Sequence, residues 1–133
     1  MEESQIEALL ESPYWVVDIL PKQVPQDAGG QYFAIENYWL QEPRRSVLLQ
    51  KRLNVLLKLN CYYDISVCGS AMNPAPEALA AAVWRGRQML VLGATLIVTD
   101  PEDTYMTVYN PDDALLALLR TIAASEGLFV WHP

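Results

Sequence analysis

The sequence predicts a single α+β domain over residues 1–133, with a mixed or mostly antiparallel sheet packed against helices, and three observations carry that prediction. The run Arg44 to Asn60 is too long and too apolar for a strand and repeats its leucines at helical spacing. Short β-rich runs recur between clusters of turn formers. A phrase also occurs twice: Tyr62 to Val67 is followed by Asn73-Pro74 and an alanine-rich run, and Tyr105 to Tyr109 by Asn110-Pro111 and a leucine-rich run. In each copy a strand-like segment meets a residue able to cap a helix and then a proline suited to the first helical turn.

The elements follow in order. Ile6, Leu9 and Leu10 stand at helical spacing among Glu2, Glu3, Glu7 and Glu11, and Pro13 closes the segment, which predicts a short acidic helix. Tyr14 to Leu20 is β-rich, with Trp15, Val17 and Ile19 on one face and Tyr14, Val16 and Asp18 on the other. After a loop that holds Pro25 and Gly29-Gly30, alternation returns from Gln31 to Trp39, which predicts a long-looped hairpin, with Glu36 to Glu42 as an alternative helix start.

In Arg44 to Asn60, Leu49, Leu53, Leu56 and Leu57 form one helical stripe, and Leu48, Val55 and Leu59 form a second, flanked by Arg44, Lys51, Arg52 and Lys58. Tyr63, Ile65 and Val67 predict a strand ended by Gly69 and Ser70, and Pro74 or Pro76 opens a helix that Gly86 closes. Gln88 to Thr99 is apolar on both parities, as a covered central strand would be, with Gly93-Ala94 able to bend or divide it. Asp100 to Asp103 is a turn that pairs Thr95–Thr99 with Tyr105–Tyr109. Asn110 is expected to cap a last helix that ends at Gly127, before a terminal strand from Leu128 to Trp131. From Tyr62 the order reads β, α, β, β, α, β, so a ferredoxin-like βαββαβ arrangement is one option for residues 62–132, preceded by a helix, a hairpin and the long helix.

At 52% apolar residues the chain can build a core without metal or disulfide staples. No apolar stretch approaches the ~20 residues needed to span a bilayer, and the acidic start is unlike a signal peptide, so the expected location is cytoplasmic. Cys61 and Cys68 are expected to be reduced. A net charge of −7 argues against nucleic-acid and anionic-membrane partners. That charge is polarised, with Arg44, Arg45, Lys51, Arg52 and Lys58 in one segment and acids at Glu2 to Glu11 and Asp100 to Asp113.

Catalytic and metal chemistry find little support. His132 is the only histidine and the penultimate residue, and no nucleophile-base set accompanies it. Asp100, Glu102, Asp103, Asp112 and Asp113 supply oxygens without the spacing of a calcium loop. Gly29-Gly30 lacks the following lysine and hydroxyl residue of a phosphate loop. No catalytic residue, cofactor or metal is therefore expected.

Two surfaces remain. Arg45, Leu48, Arg52, Val55 and Leu59 combine an apolar centre with a basic rim, as partner-binding helices do. Asp18, Glu36, Tyr105, Thr107 and Tyr109 offer carboxylates and tyrosines to a ligand or partner face. The leading expectation is an interaction protein without catalysis that contacts another protein or itself, in one form an acidic inhibitor or immunity-type protein. The alternative is a small-molecule-binding domain or enzyme with a carboxylate- and tyrosine-lined pocket.

Overall fold

The structure is a computed structural model and describes residues 2–68 and 70–133. Along the chain come α1 (Glu3–Leu10), β1 (Tyr14–Asp18), α2 (Tyr32–Trp39), α3 (Arg44–Asn60), β2 (Ser66–Val67), α4 (Pro76–Arg85), β3 (Gln88–Leu92), β4 (Thr95–Thr99), β5 (Met106–Tyr109), α5 (Asp113–Ser125) and β6 (Phe129–Trp131). The six strands form one sheet in the order β2-β3-β4-β5-β1-β6, with every neighbouring pair antiparallel. This is the expected α+β class.

Strand parity sorts the side chains into two layers, because successive residues point to opposite faces of a sheet. Val17 of β1, Leu90 and Leu92 of β3, Ile97 of β4 and Met106 and Val108 of β5 join the core with Leu53, Leu56 and Leu59 of α3, Leu79 and Val83 of α4, and Leu115 and Leu119 of α5. All three helices thus cover one face. Tyr14, Val16 and Asp18 of β1 and Thr107 and Tyr109 of β5 carry the other parity and look away from that core.

Three expectations are corrected. Residues 31–39 form α2 and no hairpin: both edges of β1 are already taken, by β5 and β6, so a strand there would have no edge of β1 to join. The helix is locally favoured, with the Tyr32 hydroxyl donating to Glu36 Oε2 at 3.1 Å one turn on and the Arg44 guanidinium lying 3.6 Å over the Tyr38 ring.

The run from Gln88 to Thr99 is divided in two, as Gly93-Ala94 allowed, with the turn at Gly93, whose φ of 58° suits glycine, and it is the frame of the ferredoxin-like unit that changes. Residues 62–132 therefore read βαβββαβ and do not make the ferredoxin-like unit alone. That arrangement is nevertheless present in a different frame. β1, α3, β4, β5, α5 and β6 supply it, with β1 between β5 and β6 and with β4 outside β5. The β2-α4-β3 segment is an insertion that lengthens the sheet past β4.

The cap of α5 is Asp112, whose Oδ1 accepts the Leu115 N–H at 2.8 Å, and not Asn110. Asn110 instead stands at φ 58°, and Asn73 of the first Asn-Pro pair at φ 51°. Asparagine tolerates this region because its short amide bonds locally. Asn73 does so fully, its Oδ1 accepting from Ile65 N–H and Asn60 Nδ2 while its own Nδ2 donates to Asp64. Gly69, expected to help end the strand before it, lies outside the described residues.

Candidate functional site

The sheet face turned away from α3, α4 and α5 is only partly covered. α1 approaches β4 there, and residues 20–24 and Tyr32 close the other side. Between them lies a cleft of about 470 Å³ floored by β1, β5 and β6. Its floor follows from register. Tyr14 pairs with Tyr109, and Val16 lies opposite Thr107 on one side and Trp131 on the other, so these side chains share one face. The Tyr14 and Tyr109 rings are 5.3 Å apart. Tyr32 and Tyr105 complete a lining of five aromatic rings.

At the end of β1 the carboxylate of Asp18 sits in this floor with only 5% of the residue exposed. Oδ1 accepts the Ile19 N–H at 2.7 Å and Oδ2 accepts the indole N–H of Trp131 at 3.3 Å. Burial raises its pKa above the usual carboxylate value, and the bonds from Ile19, Leu20 and Trp131 and the charge of Arg52 only partly oppose that rise. Tyr32 is pushed up to about 12 by burial, by its bond to Glu36 and by the charges of Glu36 and Asp18. Tyr105 moves the same way, through burial and then Asp103, Glu36 and Asp18. The phenols resist ionisation chiefly because they are part-buried, and the nearby carboxylates add to that resistance.

Asp18, Tyr105, Thr107 and Tyr109, chosen from sequence, therefore meet in one cleft, and Glu36 reaches its wall through Tyr32. Tyr32 and Trp131 escaped sequence reasoning. The Tyr32–Glu36 spacing of one helical turn was the available sign of the first, whereas Trp131 depends on β6 pairing with β1, which no local pattern encodes. His132, which drew notice as the lone histidine, stacks on Trp15 at 4.6 Å, and its Nδ1 lies 2.8 Å from the Tyr14 carbonyl oxygen.

The basic-rimmed stripe comes out differently. Leu48, Arg52, Val55 and Leu59 are buried within the domain, and Arg45 Nε donates to the Pro101 carbonyl. α3 is enclosed because α2, α4 and α5 all pack on it, so this stripe is core and not free surface. Arg52 is the largest fully buried side chain; its Nη1 donates to the Asp100 carbonyl at 2.8 Å and to Thr99 Oγ1 at 3.4 Å.

Among the described residues no group of three or more histidine, cysteine, aspartate or glutamate side chains is placed to hold a metal, and no helix is long and apolar enough to cross a membrane. Asp100 Oδ1 accepts the Glu102 N–H, which holds that turn, and Asp112 serves its helix. Cys61 and Cys68 are free and exposed.

The fold and the cleft together define an antiparallel α+β domain with one helix-covered sheet face and one concave aromatic face. No protein-family model, curated protein or solved structure matches the chain.

Proposed function

We propose that this chain is a small-molecule-binding domain whose ligand occupies the cleft on the uncovered sheet face, against Asp18, Tyr105 and Tyr109. The observation that carries this reading is the convergence of five aromatic rings and a buried, hydrogen-bonded carboxylate on one concavity of about 470 Å³. Ligand sites commonly fall between about 300 and 1,000 Å³ and combine apolar walls with a few placed polar groups. The rings give stacking area, and the Tyr109 and Tyr105 hydroxyls and Thr107 offer hydrogen bonds.

Screening a chemically mixed fragment set by NMR tests it. Binders should shift the Trp131 indole resonance together with those of Tyr105 and Tyr109. If no fragment moves these three as a group, or if binders map elsewhere, the proposal fails.

A second reading, self-association, draws on a specific observation. Phe33, Ile35 and Tyr38 of α2 and Val47 of α3 are exposed, with Phe33 80% accessible. Arg44 and Arg45 stand beside this patch, and the acidic α1 of a second copy would complement them. Under this reading Phe33→Asp and Arg45→Glu each lower the sedimentation coefficient of an oligomer, and a wild-type monomer at all concentrations rules it out.

A further inference from the structure

A second hollow of about 480 Å³ adjoins the first. Leu20, Val24 and Tyr32 line both, so one wall is shared. Beyond that wall the lining turns apolar, with Pro25, Phe33 and Ile35. The two hollows therefore differ in chemistry: one holds a carboxylate and aromatic rings, and the other holds hydrocarbon and a largely exposed phenyl ring.

Resting on the reading of the cleft as a ligand site, we infer that its ligand is an amphiphilic organic cation, with an ammonium head over Asp18 and an apolar tail crossing Val24 into the hollow beside Phe33. Four features support this class. Aromatic faces attract ammonium groups through their quadrupoles, most strongly where water is excluded. The charged groups near the rings are mostly carboxylates, Asp18, Glu36 and Asp103, in a chain of net charge −7. The one basic residue of the lining, Lys22, is exposed at the mouth. An apolar hollow that shares Leu20, Val24 and Tyr32 with the site gives a hydrocarbon tail somewhere to leave water.

The experiment uses four probes: hexylammonium, hexanol, hexanoate and methylammonium, each titrated into the full chain while the Trp131 indole and the Phe33 ring are followed by NMR. Hexylammonium should shift both resonances and bind at least about tenfold tighter than hexanol, the difference that 1.4 kcal/mol supplies. Methylammonium should shift Trp131 alone and bind at least about tenfold more weakly than hexylammonium, since each buried methylene is worth about fourfold. Asp18→Asn should remove the preference for the cation over the alcohol. Phe33→Ser changes an exposed residue and should leave the fold intact, lowering the hexylammonium affinity without altering that of methylammonium.

If hexanol or hexanoate binds at Trp131 as well as the amine does, the cation is wrong while the cleft remains a ligand site. If no probe moves Trp131, the amphiphilic cation is overturned, whereas the cleft as a ligand site falls only if the mixed fragment set fails there too. A Phe33→Ser variant that binds hexylammonium as tightly as wild type overturns the tail.

Discussion

The two faces of the sheet are built from the same strands and are covered differently. On β5, Met106 and Val108 are buried in the core cluster with leucines of α3 and α5, while Thr107 and Tyr109, and Tyr105 just before the strand, remain half-buried over a cleft. The closed face is filled by aliphatic side chains that need only shape. The open face gathers phenols, an indole and a carboxylate whose polar atoms need partners. The contrast between an aliphatic, fully covered face and a half-covered aromatic one around a concavity is the ground on which a ligand site is proposed for the open face.

The largest expected effect tests the closed side. Leu119 of α5 is fully buried, and Leu119→Ala should destabilise the protein by about 2–5 kcal/mol through lost transfer energy and the cavity left behind. Thr107→Val, one layer away on the open side, should change stability by less than about 1 kcal/mol. Urea unfolding measures both. Comparable losses would mean that the open face is packed as tightly as the core and that the contrast is false.

Legibility divided along the same line. Helix α3 was readable to its ends because a leucine run of that length excludes a strand, and the parities of β1 and β5 were readable because alternation is a local property. The Gln31 to Trp39 segment misled because none of its side chains is buried, so its apparent alternation recorded no buried face. The doubled Asn-Pro phrase marked two real turns at positive φ, yet its two copies have different roles. The second leads into the last βα unit, whereas the first belongs to an insertion at the sheet edge, where β2 is only Ser66–Val67. Which strand enters the slot between β5 and β6 is decided by pairings far apart in the chain, such as Tyr14 with Tyr109 and Val16 with Trp131, and that choice creates the cleft.

A smaller effect should come from the start of α5, the element that closes the covered face. Asp112→Ala removes the side chain that accepts from Leu115 N–H and should cost about 1 kcal/mol in thermal unfolding. Asn110→Ala should act through the backbone instead, since φ 58° disfavours a β-carbon that lacks asparagine's local amide bonds, and Asn110→Gly should restore stability lost in Asn110→Ala. A glycine variant that recovers none of the stability lost in Asn110→Ala would show that the loss comes from the bond of Asn110 Nδ2 to the Ala94 carbonyl and not from backbone strain.

Arg52 sharpens the comparison, being the one buried charge on the closed face among the described residues. Only 1% of it is exposed, its Nε and Nη2 have no hydrogen-bond partner, and burial pulls its pKa down to about 10 against the favourable charges of Asp103, Asp100 and Asp18. A cation so poorly compensated stabilises little, and exchange for an apolar group of similar volume is often neutral or favourable. Arg52→Met should therefore remain within about 1 kcal/mol of wild type. A loss of several kcal/mol would instead make its bonds to Asp100 and Thr99 a principal tie between α3 and the β4-β5 turn.

The smallest effect is the most informative about the open face, because it reads the Asp18 carboxylate directly. Burial holds its pKa above the ordinary 3.8, despite the opposing bonds from Ile19, Leu20 and Trp131 and the charge of Arg52. The folded protein thus binds this proton more tightly than the unfolded chain, and folding is favoured by acid at this group. That contribution is complete below pH 3.8 and disappears as pH rises through the higher folded value. Asparagine does not titrate, so wild type should gain stability relative to Asp18→Asn as pH falls through that window, as followed by urea unfolding of both proteins. Saturating hexylammonium should shrink the gain, because a cation beside the carboxylate favours its charged form. A gap that widens as pH rises would mean that the cleft already stabilises the carboxylate anion, and the electrostatic ground for a cationic ligand would be gone.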